Sequence, residues 1–288
     1  MDLAFVVVIQ ILYAIASLAL ISVGLAIIFG MMGVINFAHG EFLMMGGYAF
    51  VLSVGAGVNF WIAMLVVAPV TVGIVGIVIE RLIIRRLYGR IMETVLATWG
   101  LSLFLIGLTA TVLGYHQKGV APPFGSIVIG TYREGVYTFF VIGITILLLL
   151  IVYAGLKYTK FGLLARGTMQ NAEMSSALGT SVNRVYSVTF GVGAALSGLA
   201  GAVLAPIAGV LPDIGVTYVI KAFITVISGG AVALSGTIAA SFLFGAVSQA
   251  VTFLSRPVVG EVALLVIAII LLRLLPNGIT GKYFRKSL

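Results

Sequence analysis

Long apolar runs occupy residues 5–30, 42–54, 60–79, 94–113, 137–153, 187–207, 217–228, 238–253 and 262–275, with short polar or glycine-rich interruptions between them. A helix of about 20 apolar residues crosses the roughly 30 Å hydrocarbon layer of a bilayer, so this pattern predicts eight to ten membrane crossings. The first run has no positively charged start and no small-residue cleavage site behind it, which predicts a retained helix and not a removed signal peptide. The octapeptide GVINFAHG, Gly33 to Gly40, breaks the first apolar stretch from the second. The third run ends in a charge cluster of Glu80, Arg81, Arg85, Arg86 and Arg90. A polar loop with Pro122 and Pro123 follows the fourth, and turns at Pro212–Asp213 and Arg256–Pro257 punctuate the last third of the chain.

Composition agrees with the pattern. Hydrophobic residues make up 61% of the chain and charged residues 8%, with a mean hydropathy of +1.25. Soluble domains carry about a quarter charged residues, so this is the composition of an integral membrane protein. The runs recur from end to end with no soluble block, which predicts a single membrane domain over residues 1–288 and no attached catalytic domain. Cysteine is absent, which removes disulfides and thiol chemistry. His39 and His116 are far apart with no ligand spacing around them, so no metal site is expected.

The net charge of +8 belongs in such a chain to membrane orientation and not to nucleic acid. If successive runs cross, twelve of the 16 basic residues fall on one side: Arg81, Arg85, Arg86, Arg90, Lys157, Lys160, Arg166, Arg184, Arg273, Lys282, Arg285 and Lys286. Lys118, Arg133, Lys221 and Arg256 fall towards the other. The excess predicts a cytoplasmic C-terminus and an external N-terminus.

The longest interruption, residues 157–186, is far longer than a connection between two helices requires. Met169, Ala172, Met174, Ala177 and Leu178 recur at helical spacing, which predicts an amphipathic helix over 165–178 stopped at Gly179. Such a helix is either a docking surface for a partner or an element lying among lipid headgroups.

Gly33 and Gly40 are seven residues apart, as are Gly229 and Gly236, and this spacing aligns GVINFAHG with GGAVALSG as a parallel internal repeat. Paired glycine-rich interruptions point to broken helices whose backbone lines a polar path, and close helix packing explains glycine equally well. On the first reading Asn36, His39, Gly40, Gly229, Gly230 and Gly236 are the candidate path residues. Glu41 either lines that path or is a capping group near the surface. Lys221 lies about one turn into its run and can snorkel, and Asp213 beside Pro212 reads as a turn residue. The sequence contains no phosphate-binding glycine loop followed by Lys and Ser or Thr, no zinc-protease histidine pair and no nucleophile elbow. Driven transport through this chain would therefore take its energy from an ion gradient or from a partner.

Three stretches carry a family resemblance: GLAIIFGMMGVINFAHGEF near the start, QNAEMSSALGTSVNRVYSVTFGVGAALSGLAGAVL in the second half, and LLPNGITG near the end. Together they resemble the permease subunits of ABC importers for branched-chain amino acids. The resemblance implies an all-α polytopic bundle in a bacterial or archaeal cytoplasmic membrane. It also implies a second homologous permease, two ATPase subunits that bind ATP and magnesium, and an extracytoplasmic solute-binding protein. This chain would itself hold no cofactor. Residues 157–186 then resemble the coupling loop that docks on the ATPase, with Glu173, Ala177, Leu178 and Gly179 on the matching positions. Leu96-Ala97-Thr98-Trp99-Gly100 is similar to the urea and short-amide branch of the same family, whereas Asn36 to Gly40 fits the amino-acid branch. The expected mechanism is alternating access driven by the ATPases. The rival is an ion-coupled secondary transporter, for which Glu41 and Asp213 are the candidate ion ligands, and a purely structural membrane scaffold is a third reading.

Overall fold

The computed structural model describes residues 2–230 and 233–284. In chain order it contains α1 (Asp2–Met32), α2 (His39–Gly55), α3 (Phe60–Ile62), a π-helical turn (Ala63–Val67), α4 (Ala68–Leu82), a 3₁₀ turn (Ile84–Leu87) and α5 (Ile91–Leu113). A hairpin of β1 (Ser126–Ile129) and β2 (Tyr132–Gly135) leads into α6 (Val136–Tyr158), α7 (Lys160–Gln170) and α8 (Ala172–Ala177). The remainder is α9 (Val182–Ala208), α10 (Ile214–Gly229), α11 (Ala233–Leu254), α12 (Pro257–Leu274) and α13 (Gly278–Phe284). The chain is a polytopic membrane helix bundle. Seven helical stretches among the described residues are long and apolar enough to cross a membrane, with α3, the π turn and α4 acting as one of 23 residues. The helices α2 and α10, of 17 and 16 residues, are shorter. At about 1.5 Å per residue they reach roughly 25 Å, less than the hydrocarbon thickness.

Residue contacts divide the chain into two compact units. The larger comprises residues 23–120 and 151–220. Its centre is α9, buried along most of its length and packed chiefly against α2 and α4. Small residues make that possible, because helices whose contact faces carry glycine and alanine can bring their backbones together. Gly198 of α9 lies against Gly46 of α2, and Gly201 lies against the Leu43 carbonyl, each leaving no room for a methyl group. Where α9 has larger side chains they fill the space between helices. Phe190 meets Phe42 edge-on at 5.9 Å, in a core shared with Ile28, Val34, Val72, Ile79, Ile84 and Ala194.

The smaller unit draws on residues 2–22, 121–150 and 221 onward. Its β-hairpin pairs Ile127 with Glu134 and Val128 with Arg133, and turns at Gly130, whose φ is +61°. Gln10 of α1 donates from Nε2 to both Glu134 oxygens at 2.8 and 2.9 Å, tying the hairpin to a membrane helix. Phe124, Tyr137 and Phe140 cluster beneath it. In the same unit α11 packs along α12, and α13 returns against α11. Lys221 donates to Glu261 of α12 at 2.6 Å, so the lysine meets a partly exposed carboxylate.

Two elements differ from the sequence reading. The amphipathic run 165–178 is two helices and not one, because Asn171 leaves helical geometry, with φ −154° and ψ 102°, and caps α8 with its own side chain. The interruption itself is shorter than 157–186, since α6 continues to Tyr158 and α9 starts at Val182. The hairpin lies where the sequence pattern gave only a polar loop, because strands of four residues carry too few positions for alternation to register.

Candidate functional site

The first helix break, residues 33–38, is built from local hydrogen bonds. Gly33 ends α1 with φ +63°, a conformation that favours glycine. Asn36 folds its side chain back so that Oδ1 accepts the Ala38 N–H at 3.0 Å. The Asn36 carbonyl accepts from the His39 N–H at 3.2 Å, and the Ala38 carbonyl from the Glu41 N–H at 3.1 Å. Thr98 on α5 accepts the Phe37 N–H at 3.2 Å. The N–H groups of Phe37 and Ala38 are thus taken by a neighbouring helix and by the break's own asparagine.

Asn36, His39 and Gly40 come together here, all buried. His39 lies beside Ser197 of α9, with Oγ 3.3 Å from Nδ1 and 3.4 Å from Nε2, and its ring packs over Gly24. Gly40 touches Gly215, in the first turn of α10, backbone to backbone. Glu41 is fully buried and accepts from the Ser102 hydroxyl at 2.9 Å. Near the same turn, Tyr115 donates its hydroxyl to Asp213, and that hydrogen bond holds the phenol above its ordinary pKa.

The second break follows Gly229. Gly230 has φ +87°, and Gly229 packs against Gly236 so closely that neither could carry a Cβ without displacing backbone. Asn277 and Gly278, from the motif LLPNGITG, lie against Gly230, and Thr280 donates to the Gly229 carbonyl at 2.7 Å. The sequence pattern had not paired this motif with this break. Ala231 and Val232 of the second repeat copy, and the basic residues Arg285 and Lys286, lie outside the described residues. The left-handed glycines that close the preceding helices are Gly33 and Gly230, one residue out of register with the alignment of Gly33 on Gly229. Asn36, His39 and Gly40 belong to the larger unit, and Gly229, Gly230 and Gly236 to the smaller.

Glu173, in the first turn of α8, and Ala177, Leu178 and Gly179, at its end, are all exposed. Thr159 caps α7, accepting from the Gly162 N–H at 3.0 Å, and Asn171 caps α8, accepting from the Met174 N–H at 2.8 Å. Arg166 donates to the Leu156 carbonyl at 2.5 Å and holds α7 against the end of α6. Gly179, at φ +86°, closes α8 by donating to the Ser176 carbonyl at 2.9 Å, while Thr180 donates to Ser175 at 3.0 Å. These paired bonds are a left-handed helix stop. Beside the exposed Glu173 and Ser176, the apolar side chains of Met174 and Leu178 face solvent, 58% and 80% exposed.

A carboxylate hub that the sequence reading treated only as part of a charge cluster joins α4 to Ser187, in the second turn of α9. Glu80 is fully buried at the end of α4. Arg85 donates to both of its oxygens at 3.2 Å, the Tyr88 hydroxyl donates to Oε1 at 2.5 Å, and Ser187 of α9 donates to Oε2 at 2.5 Å. Burial, and then the bond to Glu80, raise the Tyr88 pKa far above the ordinary phenol value, so this donor stays protonated at any physiological pH. Its ring meets Tyr186 at 5.0 Å. One acid among four arginines was the available signal, but nothing in the pattern named Ser187.

A family model described as branched-chain amino acid transport system / permease component matches residues 7–275. The high-affinity branched-chain amino acid transport system permease protein LivH of Escherichia coli K12 is 28% identical over 285 residues, covering 93% of this chain and 92% of the relative. BraD of Pseudomonas aeruginosa, with the same description, is 28% identical over 286 residues with the same coverage. A probable branched-chain amino acid transport permease protein LivH of Methanocaldococcus jannaschii is 26% identical over 284 residues, covering 93% and 90%. Among solved structures, PsaBC from Streptococcus pneumoniae in complex with Fab aligns with a TM-score of 0.51 over 97% of this chain and 94% of that one, at 14% identity, a likeness of fold.

Proposed function

Since this chain belongs to the family of branched-chain amino acid transport permease components, we propose that it forms one half of the translocation path of an ATP-driven importer for branched-chain amino acids. The other half is a second, homologous permease. Two ATPase subunits bind ATP and magnesium, and an extracytoplasmic solute-binding protein delivers the solute. The complex sits in a bacterial or archaeal cytoplasmic membrane with the C-terminus of this chain inside. Small polar solutes such as urea and short amides, which Leu96 to Gly100 brought into question, are the alternative cargo.

The observation that carries this reading is the surface at the end of α8. A six-residue helix capped at both ends presents Met174 and Leu178 to solvent. Exposed apolar side chains on a rigid, capped element are what a partner surface needs. Glu173, Ala177, Leu178 and Gly179 are the coupling residues in this proposal. The ATPases close on ATP and carry α8 with them, and the helices at the two breaks respond, with Asn36, His39, Gly40, Gly229, Gly230 and Gly236 as path residues. The test is affinity purification of the tagged chain from native membranes, followed by uptake in proteoliposomes. Recovery of two ATPases and a second permease, with leucine uptake that requires ATP, is the expected result. Recovery of the chain alone, active under an ion gradient, overturns it in favour of a secondary transporter.

A further inference from the structure

We infer that Glu41 is the group that receives the ammonium end of the transported amino acid, an assignment that rests on the amino-acid permease reading above. Glu41 is fully buried, with Oε1 accepting from Ser102 and Oε2 without any hydrogen-bond partner. The ion pairs among the described residues join Arg85 to Glu80 and Lys221 to Glu261, and neither reaches it. The charged neighbour within electrostatic reach is Asp213, a second carboxylate. Glu80 marks the contrast: it is as deeply buried, and four hydrogen bonds from Arg85, Tyr88 and Ser187 satisfy it. A buried carboxylate with a free oxygen and no counter-charge is expensive, and it stays charged only where something else supplies the counter-charge.

Two further buried polar atoms around the same break are also unpartnered, the Asn36 amide nitrogen and the Tyr48 hydroxyl. Tyr48 is seven residues beyond Glu41, two turns along the same face of α2, and it too lies within reach of Asp213. A primary ammonium, with three donors and one positive charge, suits a free carboxylate oxygen, a hydroxyl and a second carboxylate. No group of three or more His, Asp or Glu among the described residues is placed to hold a metal ion instead.

The covering element is also visible. Gly215 lies over Oε2, where a Cβ added to it would come within 2.6 Å, and its backbone rests on Gly40. This contact seals Glu41, and the Pro212–Asp213 turn leads directly into the first residues of α10. Only small residues at 40 and 215 permit so close a seal. Movement of this turn from α2 exposes Oε2 to a solute, and its return expels the solute or encloses it.

Glu41→Gln tests the assignment, because glutamine is nearly isosteric with a protonated glutamic acid and keeps hydrogen-bonding capacity without charge. In the full complex, reconstituted in proteoliposomes with its solute-binding protein, leucine uptake per ATP hydrolysed is expected to fall about 100-fold, the usual scale for removing one partner of a buried charge pair. Glu41→Asp, which keeps the charge, is expected to recover part of it. Wild-type uptake by Glu41→Gln overturns the proposal and makes Glu41 a protonated structural residue. Should the variant fail to assemble, carbodiimide labelling of Glu41 in the wild-type complex, read by mass spectrometry, decides independently. Labelling suppressed during leucine transport supports the site, and labelling indifferent to leucine, or absent in every state, overturns it. A wild-type complex that takes up no amino acid defeats the proposed function itself, whereas leucine uptake unchanged by Glu41→Gln defeats only this assignment.

Discussion

Glu80 is fully buried, and the counter-charge it depends on is Arg85. Arg85 is partly exposed, with 35% of its side chain open, so an orphaned arginine could turn to water while an orphaned Glu80 could not. Arg85→Ala is therefore expected to destabilise the purified protein by about 3 kcal/mol, the scale for leaving a buried charge unpaired. Adding Glu80→Gln to it should restore part of that loss, because a neutral amide needs no counter-charge: its oxygen accepts from one of the two hydroxyls, Tyr88 or Ser187, and its NH2 donates to the other. Thermal unfolding in detergent reads both; a double variant less stable than Arg85→Ala would refute the ion-pair account. The sequence showed the acid and the arginines but not the hub, since Ser187 is 107 residues from Glu80 and a lone serine near a helix start has many ordinary uses. His39 and Asn36 were legible as unusual because they sit in an otherwise apolar stretch. What they touch, Ser197 in one case and the Ala38 N–H in the other, was not.

Between the spans, α8 is the element on which coupling would turn, and its stop at Gly179 is its most sensitive position. A β-branched side chain at φ +86° costs about 1–2 kcal/mol and would redirect the chain entering α9. Gly179→Val and Glu173→Ala, singly and together, are expected to leave the protein inserted and assembled while ATP hydrolysis continues with little uptake. Normal coupled uptake with both positions replaced would sink the coupling role. Because α9 begins at Val182 and Ser187 is in its second turn, displacement of α8 reaches Glu80 within a few residues. The long helices were readable, since a run of apolar residues past about 17 admits few structures other than a span. Their ends drifted by a few residues because an apolar run does not mark where helical hydrogen bonding stops: α6 continues to Tyr158, past the run that ends at 153. The hairpin escaped because two four-residue strands, mostly exposed, carry almost no periodic signal.

For the whole molecule, the distribution of basic residues predicts the orientation in the membrane. Arg81, Arg85, Arg86 and Arg90 follow the span Phe60–Leu82 or close it, and Lys160 and Arg166 lie between α6 and α9, so the positive-inside preference sets both connections on the cytoplasmic side. The loop after α5, with Lys118 held by its backbone to Val210, then faces out. The absence of cysteine makes the chain its own background for site-directed labelling. Lys160→Cys, at an exposed position of the same connection outside the docking residues, should react in intact cells only with a membrane-permeant maleimide. Gln117→Cys should react with an impermeant one added from outside the cytoplasmic membrane. The reverse pattern would invert the orientation, and it would also remove α8 from the compartment where ATP is found, so the coupling role would fall with it. Labelling of both sites from one side would instead break the alternation of crossings between α5 and α9. Membrane orientation, ATPase docking and the proposed direction of transport thus stand or fall on two cysteines.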